Sequence, residues 1–294
     1  MPQAPANGIT IEYERMGKRT DPPVLLIMGL GAQLISWDDA FCKRLAGAGF
    51  QVVRYDNRDS GLSTHLDELG APDLLAALAR TEAPPYDLEA LADDAAALLR
   101  FLNLPATHIV GISMGGMVAQ LVAIRHPRRV LSLTTMMSDT GGESRELAEP
   151  EVFAELLAAP LADELEGAIE QSVRLHRLLS GGGEFDEAAA RRRAGRQIRR
   201  CYYPMGVLRQ AAAVLAARDR TAQLAALRVP TLVIHGTRDP LVPFENGVRV
   251  HRAIPRSKML TLDGVGHDLP EAAAERALDA LVGHLTGAGG RRKQ

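Results

Sequence analysis

Cysteine is nearly absent from this sequence. Cys42 and Cys201 are the only two among 294 residues, with no C-x-x-C pair and no Cys/His ligand cluster around either. That spacing excludes a disulfide framework and a structural zinc site, and it fits a reducing compartment. An excess of charge is missing too. The formal net charge is −2, which argues against a nucleic-acid or anionic-membrane partner. No apolar run is long enough to span a bilayer. Met1 to Gly8 lacks a basic stretch followed by an apolar one, so a secretory signal is not expected. No internal repeat is visible. Together these absences predict a cytoplasmic location.

What is present is apolar sequence in short, bounded runs. Hydrophobic residues make up 46% of the chain, enough for one large α/β domain or two small ones. Val24 to Met28 is a continuous apolar run of the kind buried on both faces in a parallel sheet. Gln51 to Tyr55, His108 to Val110 and Val130 to Met137 repeat the pattern, and Ile9 to Arg15 alternates like an edge strand. Between them lie helical patterns, the clearest at Leu88, Leu91, Ala92, Ala95, Leu98, Leu99 and Leu102, with Asp87 placed as N-cap. Strand and helix alternate up to residue 140. Residues 141–227 break the alternation with Ala-, Leu-, Glu- and Arg-rich helical sequence interrupted at Gly181-Gly182-Gly183. Strand patterns return at Thr231 to His235 and Lys258 to Leu262, and Glu271 to Leu285 reads as the last helix, before a glycine- and arginine-rich tail. The expected architecture is a mostly parallel central sheet flanked by helices. A core of residues 1–140 and 228–294 is split by a helical insertion of residues 141–227.

One stretch carries chemistry. Gly111-Ile112-Ser113-Met114-Gly115 sits between a strand pattern and a helical run from Met117. Strand, G-x-S-x-G, helix is the layout of a nucleophile elbow, whose sharp turn exposes the serine hydroxyl. The glycines let the turn approach its neighbours. A serine needs a base and a third group to orient that base, and on this layout they follow in the order acid, then histidine. Of the eight histidines, only His267 lies in a Gly-x-Gly-His turn just after the last strand. The acid is expected after the preceding strand, at Asp239 in Gly236-Thr237-Arg238-Asp239. Asp139, after the Met137 strand, is the rival. The oxyanion donors are expected to be the backbone N–H groups of Met114 and of Leu30 in Gly29-Leu30-Gly31. Gly29, Met117, Met136 and Met137 are expected to line the substrate pocket, with Val152, Phe153, Leu156, Leu157, Leu175, Leu178 and Leu179 above them.

These motifs resemble those of the α/β-hydrolase family, which includes carboxylesterases, proline iminopeptidases and polyketide methylesterases. Met28-Gly29-Leu30 stands where many members carry His-Gly-x. Tyr55-Asp56-Asn57-Arg58-Asp59-Ser60-Gly61-Leu62-Ser63 is similar to the family's D-x-R-x-x-G-x-S turn. The Met-Gly start, Y-D-x-R-D and G-x-S-M-G together resemble aclacinomycin methylesterase-type enzymes. The resemblance implies an α/β-hydrolase fold and a Ser113–His267–Asp239 triad that cleaves a carboxylic ester, with no cofactor and no metal, but it does not carry the substrate over. The insertion leaves from the active-site edge of the sheet after the Met137 strand, so it is expected to form a cap, and the apolar residues around the site suit a small, largely apolar molecule. Asp56 and Arg58 read as braces for the loop beside the site. Serine at the elbow argues against the dehalogenases and epoxide hydrolases of this fold, which carry aspartate there. The alternatives are a proline iminopeptidase-like aminopeptidase, a cofactor-free perhydrolase, and a non-catalytic small-molecule receptor. The arginines from Arg191 to Arg200 read as a solvated helix face.

Overall fold

The structure is a computed structural model that describes residues 2–157 and 165–290. Eight strands form one sheet. They are β1 (Gln3–Ala6), β2 (Ile9–Met16), β3 (Pro23–Ile27), β4 (Gln51–Tyr55), β5 (Thr107–Ile112), β6 (Val130–Met136), β7 (Thr231–Gly236) and β8 (Lys258–Leu262). Their order is β1-β2-β4-β3-β5-β6-β7-β8. The first two pairings, β1 with β2 and β2 with β4, are antiparallel, and the rest are parallel. The continuous apolar runs became the inner strands, as two-sided burial requires: Val24 to Ile27 are fully buried. The edge differs from expectation. Ile9–Met16 is not terminal, because Gln3–Ala6 pairs along it, with Ala4 opposite Ile11. Ala4 and Ala6 are small enough to sit in the core without marking themselves as strand residues.

The helices are α1 (Asp39–Gly47), α2 (Leu74–Ala79), α3 (Leu88–Phe101), α4 (Met114–Arg125), α5 (Pro150–Leu157), α6 (Leu165–Leu179), α7 (Glu187–Arg200), α8 (Pro204–Leu215), α9 (Thr221–Ala225), α10 (Phe244–Ala253) and α11 (Glu271–Gly290). One apolar layer joins the sheet to α3, α4 and α10. The other joins it to α1 and α11 through Cys42, Leu45, Ala277, Leu278 and Leu281. The α3 face falls where its periodicity placed it, and the Asp87 carboxylate caps it by accepting the Ala90 N–H at 2.8 Å. α11 runs on to Gly290, past the expected stop at Leu285, and residues 291–294 lie outside the described part.

Helices α5 to α9 all lie between β6 and β7 in the chain. α6 packs along α7 through Ile169, Val173 and Ala194. α8 packs on α2 through Ala77, Ala212 and Leu215. The parallel register is level at one end: Ile27 faces Gly111, Gly111 faces Thr135, and Met136 faces Ile234. The loops after β3, β5, β6 and β7 therefore leave from one edge, at the carboxyl ends of the strands, where ligands bind in sheets of this kind.

The Tyr55–Ser63 turn is braced at three charged points. Asp56 accepts the N–H groups of Leu34 at 2.6 Å and Leu62 at 2.9 Å and pairs with Arg200 at 2.8 Å. Arg58 grips Asp94 through two hydrogen bonds of 2.6 and 2.7 Å. Asp59 meets Arg209 of α8 at 2.8 Å, and both side chains are fully buried. Removing one partner of such a pair leaves an uncompensated buried charge, at about 3–5 kcal/mol. Arg209→Met should therefore lose about that much stability in urea unfolding, whereas Arg44→Met, which breaks exposed pairs with Glu275 and Asp279, should leave the unfolding midpoint nearly unchanged.

Candidate active site

Ser113 links β5 to α4 with φ 56° and ψ −126°, a strained conformation for a residue with a side chain. Its neighbours are glycines for a steric reason. A Cβ on Gly111 would lie 2.0 Å from the Gly115 carbonyl oxygen, and one on Gly115 would lie 2.2 Å from that of Ile27. The turn is pinned by the Ser113 N–H, which donates to the Met136 carbonyl at 2.9 Å. α4 then begins at Met114, where helix geometry leaves the first N–H groups without intrahelical acceptors. The β3 loop approaches from the other side. A Cβ on Gly29 would stand 3.1 Å from Cβ of Ser113, so the Gly29-Leu30-Gly31 backbone reaches the serine directly.

His267 and Asp239 meet across the ends of β7 and β8. The His267 Nδ1 lies 2.7 Å from Asp239 Oδ2. A carboxylate can only accept there, so in the neutral ring Nδ1 carries the hydrogen and Nε2 the lone pair. The other carboxylate oxygen accepts two backbone N–H groups, from Leu241 at 3.0 Å and Val242 at 2.8 Å. Burial alone would raise the Asp239 carboxyl. The His267 charge and hydrogen bonds from His235 and His267 outweigh that and hold it at about 2. Asp139 does not reach His267. Its carboxylate takes the N–H of Gly141 in its own turn, and its carbonyl takes Gln120 and Arg220.

Both halves open onto one cavity of about 1110 Å³, lined by Ser113, His267, Gly29, Leu30, Met114 and Met117 on the sheet side. Phe153, Leu156, Leu175 and Leu179 line its helical side. The helical segment also props the histidine loop. The His267 N–H donates to the Leu179 carbonyl at 2.7 Å, and a Cβ on Gly266 would lie 2.3 Å from that same oxygen.

Comparison with known proteins identifies the family. The family profile described as alpha/beta hydrolase fold matches residues 22–273. The chain belongs to the α/β-hydrolase family. It is 31% identical to rhodomycin D methylesterase DauP of Streptomyces sp. (strain C5), over 95% of this chain and 96% of that one. The figures are the same for rhodomycin D methylesterase DnrP of Streptomyces peucetius. Among solved structures, a meta-cleavage product hydrolase from Pseudomonas fluorescens superposes with a TM-score of 0.77 over 98% of both chains, at 20% identity. The hydrolase is an enzyme that cleaves carboxylic esters, as the motifs predict.

Two expectations about the hydrolase's pocket need correction. Met136 and Met137 do not line the cavity. They are buried at 1% and 0% exposure in the α1/α11 layer with Val110, Ile234 and Leu262. The end of β6 turns these side chains to the far face of the sheet while its backbone serves Ser113. Above the site, Val152 and Leu178 are absent from the lining, and the side chain of Leu157 lies outside the described residues. The arginine run of α7 is not simply solvated. Arg191 pairs with Glu170 at 2.5 Å and Arg193 with Asp268 at 3.2 Å, while Arg192, Arg193 and Arg196 border the cavity.

In the sequence His235 only closes a strand before its own turn, a pattern that misses its place beside Asp239. It is fully buried, its Nε2 sits 2.8 Å from the Val242 carbonyl and 3.5 Å from Asp239 Oδ2, and Gly247 leaves room for its ring. Its place at the end of β7, four residues before the acid, was the available signal. Gln33 and Gln210 were also missed, since a lone buried glutamine has no sequence signature.

Among the described residues, no group of three His, Cys, Asp or Glu side chains could hold a metal, and no helix is long and apolar enough to cross a membrane. The lowered Asp239 carboxyl sets a pH dependence. A depressed folded value contributes stability that is full above the ordinary 3.8 and lost as pH falls toward about 2. The stability advantage of the wild type over Asp239→Asn should shrink as pH falls below 3.8 toward about 2. Chemical denaturation at a series of pH values checks this, and a gap that widens in acid would contradict it.

Proposed function

We propose that Ser113, His267 and Asp239 are a catalytic triad that hydrolyses the methyl ester of a bulky, mainly apolar acyl group. The observation that carries this reading is the Asp239–His267 hydrogen bond opening onto the cavity that also holds the Ser113 elbow. Ser113 Oγ attacks the ester carbonyl carbon while its proton passes to His267 Nε2. The carbonyl oxygen becomes an oxyanion, which the N–H groups of Leu30 and Met114 receive. His267 returns the proton to the departing alcohol, leaving an acyl-enzyme. Water, deprotonated by His267, then releases the acid and regenerates Ser113.

Residues 141–227 act as a cap that selects the acyl group, with residues 1–140 and 228–294 as the catalytic core. The size of the cavity and its Phe153, Leu156, Leu175 and Leu179 lining support a bulky apolar acyl part. The small alcohol rests on the likeness to two proteins named methylesterases. An aminopeptidase would need a free acidic clamp for a substrate ammonium. Glu146, Glu155 and Glu184 border the cavity, and of these Glu155 lies 3.5 Å from Arg174, so the anilide comparison below decides that reading. The free thiols of Cys42 and Cys201 accord with a cytoplasmic setting.

Ser113→Ala should lower kcat on a p-nitrophenyl ester by roughly 10⁴–10⁶ and abolish fluorophosphonate labelling, with an unchanged thermal melt. Asp239→Asn should lose about 10⁴, well beyond Asp139→Asn. Activity of Ser113→Ala within tenfold of wild type, or the reverse order of the aspartates, would refute the assignment. In a methyl-ester series of lengthening apolar acyl chains, kcat/KM should rise by up to about fourfold per methylene until the cavity fills, the equivalent of about 0.8 kcal/mol. Amino-acid p-nitroanilides should be turned over more slowly than any of these esters. Faster anilide turnover would favour an aminopeptidase.

A further inference from the structure

The loop after β3 is a tight turn. The Ala32 N–H donates to the Gly29 carbonyl at 3.2 Å, and Gly31, with φ +66°, occupies the third position. That is the geometry of a type II turn, in which only glycine sits comfortably at this place. Because the peptide is trans, a Gly29 carbonyl engaged inside the turn points the Leu30 N–H out of it. The turn is fixed at both ends by side chains from elsewhere. Asn57 Nδ2 donates to the Met28 carbonyl at 3.0 Å. On the far side, the Gly31 N–H donates to Gln210 Oε1 of α8 at 2.8 Å. The same amide donates from Nε2 to the Arg58 carbonyl at 2.7 Å.

We infer that Gln210, a residue of the helical segment, is a positioning residue for the oxyanion hole, holding the Gly29–Ala32 turn so that the Leu30 N–H stays aimed at the developing oxyanion. The inference rests on the triad reading above. Gln210 is fully buried, so its two hydrogen bonds have no water to replace them. The central peptide of a two-residue turn can flip between its common forms, and the flip exchanges the Gly31 N–H for the Leu30 carbonyl. A carboxamide oxygen accepts the N–H and repels the carbonyl, so Gln210 selects one form. Val207, one helical turn earlier on α8, closes the space beside Gly31: a Cβ there would lie 2.9 Å from its Cγ2. The helix that covers the site thus also sets the geometry in which the transition state is held.

The test uses the full chain with Gln210→Met, which removes both hydrogen bonds, and Gln210→Glu, which keeps an oxygen acceptor for the Gly31 N–H. The readouts are kcat and KM on a p-nitrophenyl ester and Ki of a trifluoromethyl ketone, whose tetrahedral adduct places an oxyanion in the hole. For Q210M, kcat should fall about 10- to 100-fold with KM within about threefold. Its Ki for the ketone should rise by the same factor as kcat/KM falls. Q210E should recover most of the lost kcat. An unchanged kcat, a raised KM with kcat intact, or a Ki that does not follow kcat/KM would overturn the inference. Failure of both variants to fold would also overturn it, by assigning Gln210 to stability alone. Ser113→Ala is measured in parallel. If it keeps activity, the triad reading falls and this inference with it. If it is inactive while Q210M keeps its kcat, this inference alone falls.

Discussion

The site depends on one close approach: three neighbouring parallel strands, β5 and its partners β3 and β6, end level, and their backbones touch at the elbow. The Gly115 position lies against the Ile27 carbonyl, and the Gly111 position lies against Gly115 itself. A methyl group at either would push β5 from β3 or open the turn. Because neither has one, Ser113 can hold a positive φ, with its N–H bound to the end of β6. The strain of that conformation is met by the buried apolar layers on both faces of the sheet, which keep the strand ends in register. The β3 loop and the start of α4 flank the serine, and the loop is tied to α8 through Gln210.

Asp239 and His267 are held differently. Asp239 receives backbone N–H groups on one oxygen and imidazole hydrogens toward the other, so its charge is satisfied although the side chain is buried. An ionised carboxylate stays in such a place only when its lone pairs are occupied. It can then fix the His267 tautomer and support a positive imidazole. The histidine loop is in turn propped on the helical segment through the Leu179 carbonyl. The β3 loop is propped on it as well, through Gln33, which donates to the Gln197 and Cys201 carbonyls at 2.8 Å, and through Gln210. The helices over the cavity are therefore bonded directly to both loops that border it.

Much of this was legible beforehand because it is local. G-x-S-x-G between a strand run and a helix run has few other uses, and G-x-x-D and G-x-G-H follow strands in the required order. Asp87 announced α3, and the loss of strand patterns after residue 140 announced α5 to α9. The misses have physical reasons. Gln3–Ala6 is too short and too rich in alanine and proline to show a period. Met136 and Met137 were placed in the pocket because they stand at a strand end, but nearness along the chain does not say to which face a side chain turns. The α7 arginines looked solvated because the ion partners Glu170 and Asp268 lie on other elements.

The sequence by itself determined the order of elements, the elbow serine and the strand-end candidates His267, Asp239 and Asp139, because backbone turns and strand ends are dictated by glycine placement and apolar periodicity within a few residues. Only the tertiary structure decided which aspartate meets His267, which side chains enclose the cavity, and that Gln33, Gln210 and His235 stand behind the reacting groups. Those are contacts between residues far apart in the chain. Hydrogen bonds of that kind form only after the strands are in register and the helices are packed, so no local pattern of residues encodes them.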